Sequence, residues 1–342
     1  MFTFFKKKKR SHGMNAVVLS DEGIAHACVA YTDGQTPTLQ AFHYSPVKNR
    51  SKTMFSLKKF IQDYKLEKTS VVTSLLIADS NLAMIERPDV EEDELVQAVR
   101  WNIKDSFPFD VDDAVIGVFD IPEQKGRGRS PSVYVAAAEK SFLKKRIQLL
   151  EEQGLEVESV DIPELVMRNV AALLPEDEQG VVLLKLDSTQ GLMTLTHDSS
   201  LFLARNIDVG YQPLLSSLDL GEKQQDGLVL DGMPPAQQHL LDTIVLEVQR
   251  SLDYYESHFS KPSINSLVIA PIGHDISMVT KYLADALGLQ VRVLDFNDAL
   301  DTPDSISDEM QAKCFFAIAT ALREATASLF DEKDSGSKGV AA

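Results

Sequence analysis

The sequence predicts a duplicated α/β fold of two lobes, each a mixed sheet covered by helices, with a cleft between them. Three observations predict it. First, Gly180 to Gly210 contains three short apolar runs, Val181 to Leu186, Gly191 to Thr196 and Leu201 to Ile207, separated by polar turns at Asp187 to Gln190 and His197 to Ser200. Second, the chain opens with the same meander, at Met14 to Leu19, Ile24 to Tyr31 and Pro37 to Tyr44. Third, each meander is followed by helix, strand, helix, strand, helix, with one insertion in the first half. Ligands usually occupy the cleft of such an architecture.

The elements of the first half follow in order. Thr53 to Lys65 places Phe55, Leu57, Phe60, Ile61 and Tyr64 near helical spacing, and Val71 to Ala78 reads as a buried strand. Asp89 to Ser106 reads as an amphipathic helix, with Glu91, Glu92, Asp93 and Glu94 suited to the positive end of its dipole and Leu95, Val99 and Ile103 recurring every four residues. That helix, a strand at Ala114 to Asp120 and a basic, glycine-rich stretch at Pro122 to Pro131 form an inserted subdomain over about residues 79 to 130. The trunk resumes with a strand at Ser132 to Ala138, a helix from Lys140 to Gln153 stopped by Gly154, a strand at Leu155 to Val160, and a helix opened by Pro163.

In the second half, Gly221 to Pro235 has loop composition, and the helix from Ala236 carries Leu241, Val245, Val248, Leu252, Tyr255 and Phe259 on one face. Ile264 to Ala270, Asp275 to Leu287 with Gly288, Gln290 to Asp295 and Asp308 to Leu329 give strand, helix, strand and closing helix. The expected organisation is a basic tail at 1 to 13, a first lobe at 14 to 175, a second lobe at 180 to 330, and a polar, disordered tail at 331 to 342.

Composition excludes several functions. A net charge of −17 opposes a nucleic-acid partner. No apolar run reaches the roughly 18 residues of a membrane span, and Met1 to Phe5 followed by Lys6 to Arg10 reverses the order of a signal peptide, so a cytoplasmic location is expected. The basic run reads as a solvated tail or as a contact with anionic lipid at about 1 kcal/mol per residue. Cys28 and Cys314 lie far apart with no histidine at ligand spacing, so both are expected as reduced, buried packing residues, and no metal site is indicated.

Four stretches, taken in order, carry a resemblance: Ala98 to Asp113 (AVRWNIKDSFPFDVDD), Val135 to Lys140 (VAAAEK), Gly154 to Asp161 (GLEVESVD) and Glu247 to Tyr255 (EVQRSLDYY). Together they resemble the PilM family of type IV pilus assembly proteins, and most of all its MshI branch, of the mannose-sensitive haemagglutinin (MSHA) pilus. The resemblance runs from about residue 14 to 328. It implies a duplicated actin-like (ribonuclease H-like) fold with an inserted subdomain of the kind found in the cell-division protein FtsA. It also implies a place on the cytoplasmic face of the inner membrane, and a partner: the N-terminal peptide of a PilN-like bitopic membrane protein.

The family's nucleotide motifs are eroded. Where an aspartate and glycines should follow the first strand, the chain has Leu19-Ser20-Asp21-Glu22-Gly23. Where the family has Asp-Ile-Gly-Ala, a gapless register gives Lys185-Leu186-Asp187-Ser188, with a lysine in the position of a magnesium-coordinating carboxylate. A two-residue slip restores Asp187 without a glycine beside it. After Arg205, Gly210 is kept but Tyr211 replaces the second glycine, and the adenosine loop reads Pro271-Ile-Gly273-His274. Asp21, Gly23, Lys185, Asp187, Ser188, Gly210 and Gly273 are thus the remnants of a nucleotide site or ordinary turn residues. The expected cofactor is none; the alternative is an ATPase that binds ATP and magnesium. Family members take the partner's peptide where the insertion meets the first lobe, which singles out Trp101, Phe107, Pro108 and Phe109 as partner-binding candidates or as the insertion's own small core.

Overall fold

The computed structural model describes residues 2–3, 13–32, 35–47, 53–104, 106–121, 131–215 and 235–325. The basic run Lys6 to Arg10, the glycine-rich stretch 122–130, the loop 221–234 and the tail 331–342 lie outside them.

In chain order the strands are β1 Phe2–Thr3, β2 Met14–Leu19, β3 Gly23–Ala30, β4 Thr38–Pro46, β5 Ser70–Ser74, β6 Asn81–Glu86, β7 Ala114–Asp120, β8 Ser132–Glu139, β9 Glu156–Asp161, β10 Val181–Leu186, β11 Gly191–His197, β12 Ser200–Ile207, β13 Ser266–Ile269 and β14 Gln290–Val293. The helices are α1 Thr53–Asp63, α2 Leu95–Asn102, α3 Lys140–Glu151, α4 Pro163–Ala171, α5 Pro235–Phe259, α6 Ser277–Leu287, α7 Phe296–Ala299 and α8 Asp308–Ala321.

Two sheets repeat one topology. The first runs β9-β5-β2-β3-β4 with β1 added outside β9; the second runs β14-β13-β10-β11-β12. In each, the first strand pairs antiparallel with the second and parallel with the fourth. The registers agree as well: Leu19 faces Ile24 and Leu186 faces Gly191, so Ser20–Gly23 in one lobe and Asp187–Gln190 in the other are equivalent four-residue turns.

Period-two alternation decides what each central strand touches. Ala16 and Val18 of β2, with Val181 and Leu183 of β10, face an inner layer filled by Val166, Met167 and Val170 of α4 and by Cys314, Phe315 and Ile318 of α8. Val17 and Leu19, like Val182 and Leu184, face outward toward the covering helices. The closing helix α8 lies against β2, β3, β4 and β5, and α4 lies against β10, β11 and β12, so each sheet is covered by a helix from the other half of the chain. Helix ends follow local chemistry. Pro163 opens α4, Ser307 caps α8 with its Oγ accepting from the Met310 amide, and Gly288 ends α6 at φ 68°, where a side chain would be strained.

Three boundaries differ from the sequence reading. The insertion extends past 130, because β8 is the central strand of the small sheet β6-β8-β7; Val133 and Val135 enter the subdomain's own core while Tyr134, Ala136 and Ala138 enter the main one. Helix α2 starts at Leu95 rather than Asp89: the acidic stretch before it forms turns, with Val90 donating to the Pro88 carbonyl and Glu94 to the Glu91 carbonyl, and Arg87, just past β6, pairs with Glu92 at 2.5 Å and Asp120 at 2.6 Å. The fourth strand of the first lobe stops at Ser74, and the chain turns through a short 3-10 segment, Ile77–Asp79. Of the two cysteines, Cys314 is buried and Cys28 only half-buried.

Candidate functional site

A cleft of about 1090 Å³ opens between the lobes, lined by both equivalent turns, by α3, by the 271–274 loop and by the start of α8. Asp21, Lys185, Asp187, Ser188 and Gly273 all line it, so the fold gathers five of the seven nucleotide-site candidates into one place. Gly23 and Gly210 lie behind the lining and serve packing. A Cβ on Gly23 would meet the Tyr44 ring and the Ser45 carbonyl at 2.6 Å, and one on Gly210 would meet the Thr189 amide nitrogen at 2.4 Å. Gly273 has φ 80° and passes close to Glu309 and Ala312 of α8.

Both turns close on themselves. In the first, the Ser20 amide donates to the Gly23 carbonyl at 2.9 Å, and the Gly23 amide donates to Ser20 Oγ at 3.0 Å. In the second, the Asp187 amide donates to the Gln190 carbonyl at 2.7 Å. The chain after the third strand secures each turn: Val47 donates to the Glu22 carbonyl at 2.9 Å, and Tyr211 to the Asp187 carbonyl at 2.8 Å. The amides of Ser20, Gly23 and Asp187 are therefore engaged within the turns themselves.

Each turn is also capped by a cation of the protein. Lys185 is buried, and its Nζ donates to the Leu186 carbonyl at 3.0 Å while pairing with Asp187 Oδ1 at 3.0 Å, close to the Phe315 and Phe316 rings. In the first lobe Arg146 of α3 donates to the Leu19 carbonyl at 2.8 Å and to Asp79 Oδ2 at 2.9 Å. Burial pulls the Arg146 guanidinium below its ordinary range, and Asp79 and Asp21 pull the other way. Leu19 and Leu186 are equivalent residues, so the two strand-end carbonyls are matched by two built-in cation and carboxylate pairs.

Aromatic side chains cross the cleft. Tyr211 points its hydroxyl at Glu22 Oε1 of the opposite lobe, 3.4 Å away, and its ring lies 6.3 Å from that of His274. Burial and then Glu22 push the Tyr211 hydroxyl up. Lys313 of α8 lies 5.2 Å over the Tyr44 ring, and Tyr44 donates to the Glu22 carbonyl at 2.9 Å. Sequence reading missed Arg146, Asp79, Tyr44 and Lys313. A signal existed for Arg146, which stands three residues from Leu143 and four from Leu150 and so shares their buried helix face.

The partner candidates Trp101, Phe107, Pro108 and Phe109 lie in the inserted subdomain and are not among the residues that line the cleft. Trp101 is 73% exposed on α2, and Val96 on the same helix is 40% exposed. Phe107 packs against the small core of Leu95, Val99, Ile103, Val111, Val133 and Val135, and it stacks on Phe109 at 5.8 Å, with Pro108 exposed between them. One ring thus supports the subdomain while another faces solvent. The subdomain is fixed to the second lobe by Tyr134, whose hydroxyl donates to the Phe202 carbonyl at 3.0 Å.

Among the described residues no cluster of histidine, cysteine and carboxylate side chains is suited to hold a metal ion, and no helix is long and apolar enough to cross a membrane.

These features define the class: a duplicated, two-lobed actin-like fold with an inserted subdomain. Among solved structures, the chain is similar to a PilM–PilN type IV pilus biogenesis complex, at a TM-score of 0.70 and 18% identity over 91% of this chain and 98% of that one. A protein of Bacteroides thetaiotaomicron with an actin-like ATPase fold (TM-score 0.46, 10% identity, 89% and 96% covered) and the cytoplasmic domain of EpsL from Vibrio cholerae (0.41, 15%, 68% and 94%) are more distant. No family model and no curated protein matches the chain.

Proposed function

We propose that the chain is an actin-like scaffold of a type IV pilus assembly machine, of the MSHA type, that docks the cytoplasmic N-terminal peptide of a PilN-like inner-membrane protein. The observation that carries this reading is the likeness, over nearly the full length of both chains, to the PilM–PilN complex. The exposed Trp101 and Pro108 of the inserted subdomain support it, since an extended peptide gains affinity by packing apolar side chains against such exposed groups. On this reading the protein sits at the cytoplasmic face of the inner membrane through its partner, and the cleft is a degenerate nucleotide site. Lys185 neutralises the carboxylate that a magnesium ion would need, and Tyr211 reaches across the space where the family has a glycine. The size of the cleft favours the second reading, a slow ATPase that binds ATP and magnesium there.

Trp101 is the chain's only tryptophan, so its fluorescence reports on the insertion alone. A synthetic peptide of the partner's cytoplasmic N-terminus is expected to change its emission, and Phe109→Ala to weaken binding about tenfold with far-UV circular dichroism preserved. Unchanged peptide affinity in a folded variant lacking the insertion overturns the assignment.

A further inference from the structure

The duplication exposes one strand that has no counterpart. The second sheet ends at β14, whereas the first continues past the equivalent β9 to β1, with Phe2 opposite Val160 and Thr3 opposite Ser159 in antiparallel register. This pairing spans two residues of a six-residue strand, so most of the β9 edge has no sheet neighbour on that side among the described residues. β1 also lies against β7, which places it where the first sheet meets the inserted subdomain. The strand it covers is rigidly held from behind. Arg323, from the turn that ends α8, donates to Ser159 Oγ and to Asp161 Oδ1, both at 2.7 Å, and Ser159, Val160 and Asp161 are buried.

An edge of this kind is a template for an extended peptide, because its backbone donors and acceptors stay in register while side chains supply selectivity. The segment at the chain's start has a fitting composition, Met1-Phe-Thr-Phe-Phe5, apolar and free of proline and glycine. A two-residue ladder is weak by itself and persists through its covalent tether, which supplies a high effective concentration.

We propose that the β9 edge is a strand-addition site for an extended apolar peptide, and that the chain's own amino-terminal segment is its resident, displaceable strand. A partner peptide entering the junction between sheet and insertion exchanges with β1. The identity of that partner rests on the pilus reading above; the strand site does not.

The test keeps the full chain and its basic run and replaces Phe2→Pro and Thr3→Pro together. Amides alternate sides along a strand, so one of the two substitutions must remove a donor facing β9. The probes are a labelled peptide of residues 1 to 10 and a synthetic cytoplasmic N-terminal peptide of a PilN-like protein. The residue 1 to 10 peptide is expected to bind the double-proline variant at least about tenfold more tightly than the unaltered chain, with faster hydrogen exchange at Ser159 and Val160 in the variant and an unchanged melting temperature. Equal or absent binding to both proteins overturns the strand site. If the residue 1 to 10 peptide binds the variant while the pilus peptide binds neither protein, the strand site stands and the pilus partner falls.

Discussion

The two turns that face each other across the cleft solve one problem with different means. Both end a central strand at a leucine carbonyl that accepts from a cation paired to a carboxylate. In the second lobe the solution is local: Lys185, Leu186 and Asp187 are consecutive. In the first it is assembled from afar, with Arg146 separated from Leu19 by 127 residues and from Asp79 by 67. The position equivalent to Lys185 is Val18, an ordinary core residue. A local cap survives small shifts of the surrounding helices, whereas a remote one ties the turn to α3 and to the 3-10 segment. The first-lobe turn is therefore the more vulnerable of the two.

The largest expected effect tests that claim. Arg146→Ala leaves Asp79 and the Leu19 carbonyl without their partner in a largely enclosed place, and it should cost about 3 kcal/mol in urea denaturation. A loss below about 1 kcal/mol would break the comparison. Pairing it with Asp79→Asn in a double-mutant cycle should show coupling, since the two side chains share one ion pair.

Next comes a proton-dependent difference between the lobes. His26 pairs with Val17, and the equivalent position in the second lobe, opposite Leu184, is the buried Met193. Burial, with a smaller effect of the neighbouring His43, lowers the His26 imidazole to about 4. Its Nε2 contacts Asn15 Oδ1 at 3.1 Å, while Nδ1 has no hydrogen-bond partner among the described residues. A histidine whose folded value lies below its unfolded one contributes stability above about pH 6.5, and that contribution is lost as the pH falls toward 4. Between pH 7 and pH 5 the protein should lose about 2 kcal/mol through this group, and His26→Met should remove that slope. Identical pH profiles for the two proteins would show that His26 does not distinguish the lobes.

Lys185→Met should cost less, about 1 kcal/mol, because the methionine keeps the apolar stem among Phe315 and Phe316 and Asp187 is partly solvated. A loss as large as that of Arg146→Ala would erase the contrast between local and remote caps. The smallest expected effect concerns the cleft as a whole. Millimolar ATP with magnesium should shift the melting temperature by less than about one degree, because a ligand that binds the native state raises stability by mass action. A shift of several degrees would favour the ATPase reading over the degenerate site.

Much of this was legible in the chain. Runs such as Val181 to Leu186, fully apolar but for one lysine, mark central strands buried on both faces, and the repeated order of elements marks the duplication. Pro163, Gly154 and Gly288 delimit helices by rules that act within a few residues. Lys185 and Tyr211 could be singled out only as departures from the motifs that the resemblance implies. What only the tertiary structure decided involves partners distant in sequence. Ser132–Glu139 reads as a trunk strand until its two neighbours, β6 and β7, are known, since a strand's sheet is set by pairing and not by composition. The packing of α8 on the first sheet, the Arg146 clamp, the Tyr211 contact to Glu22 and the strand added at Phe2–Thr3 all join residues more than 60 positions apart. Periodicity states which face of an element is buried; it carries no information about which other element buries it.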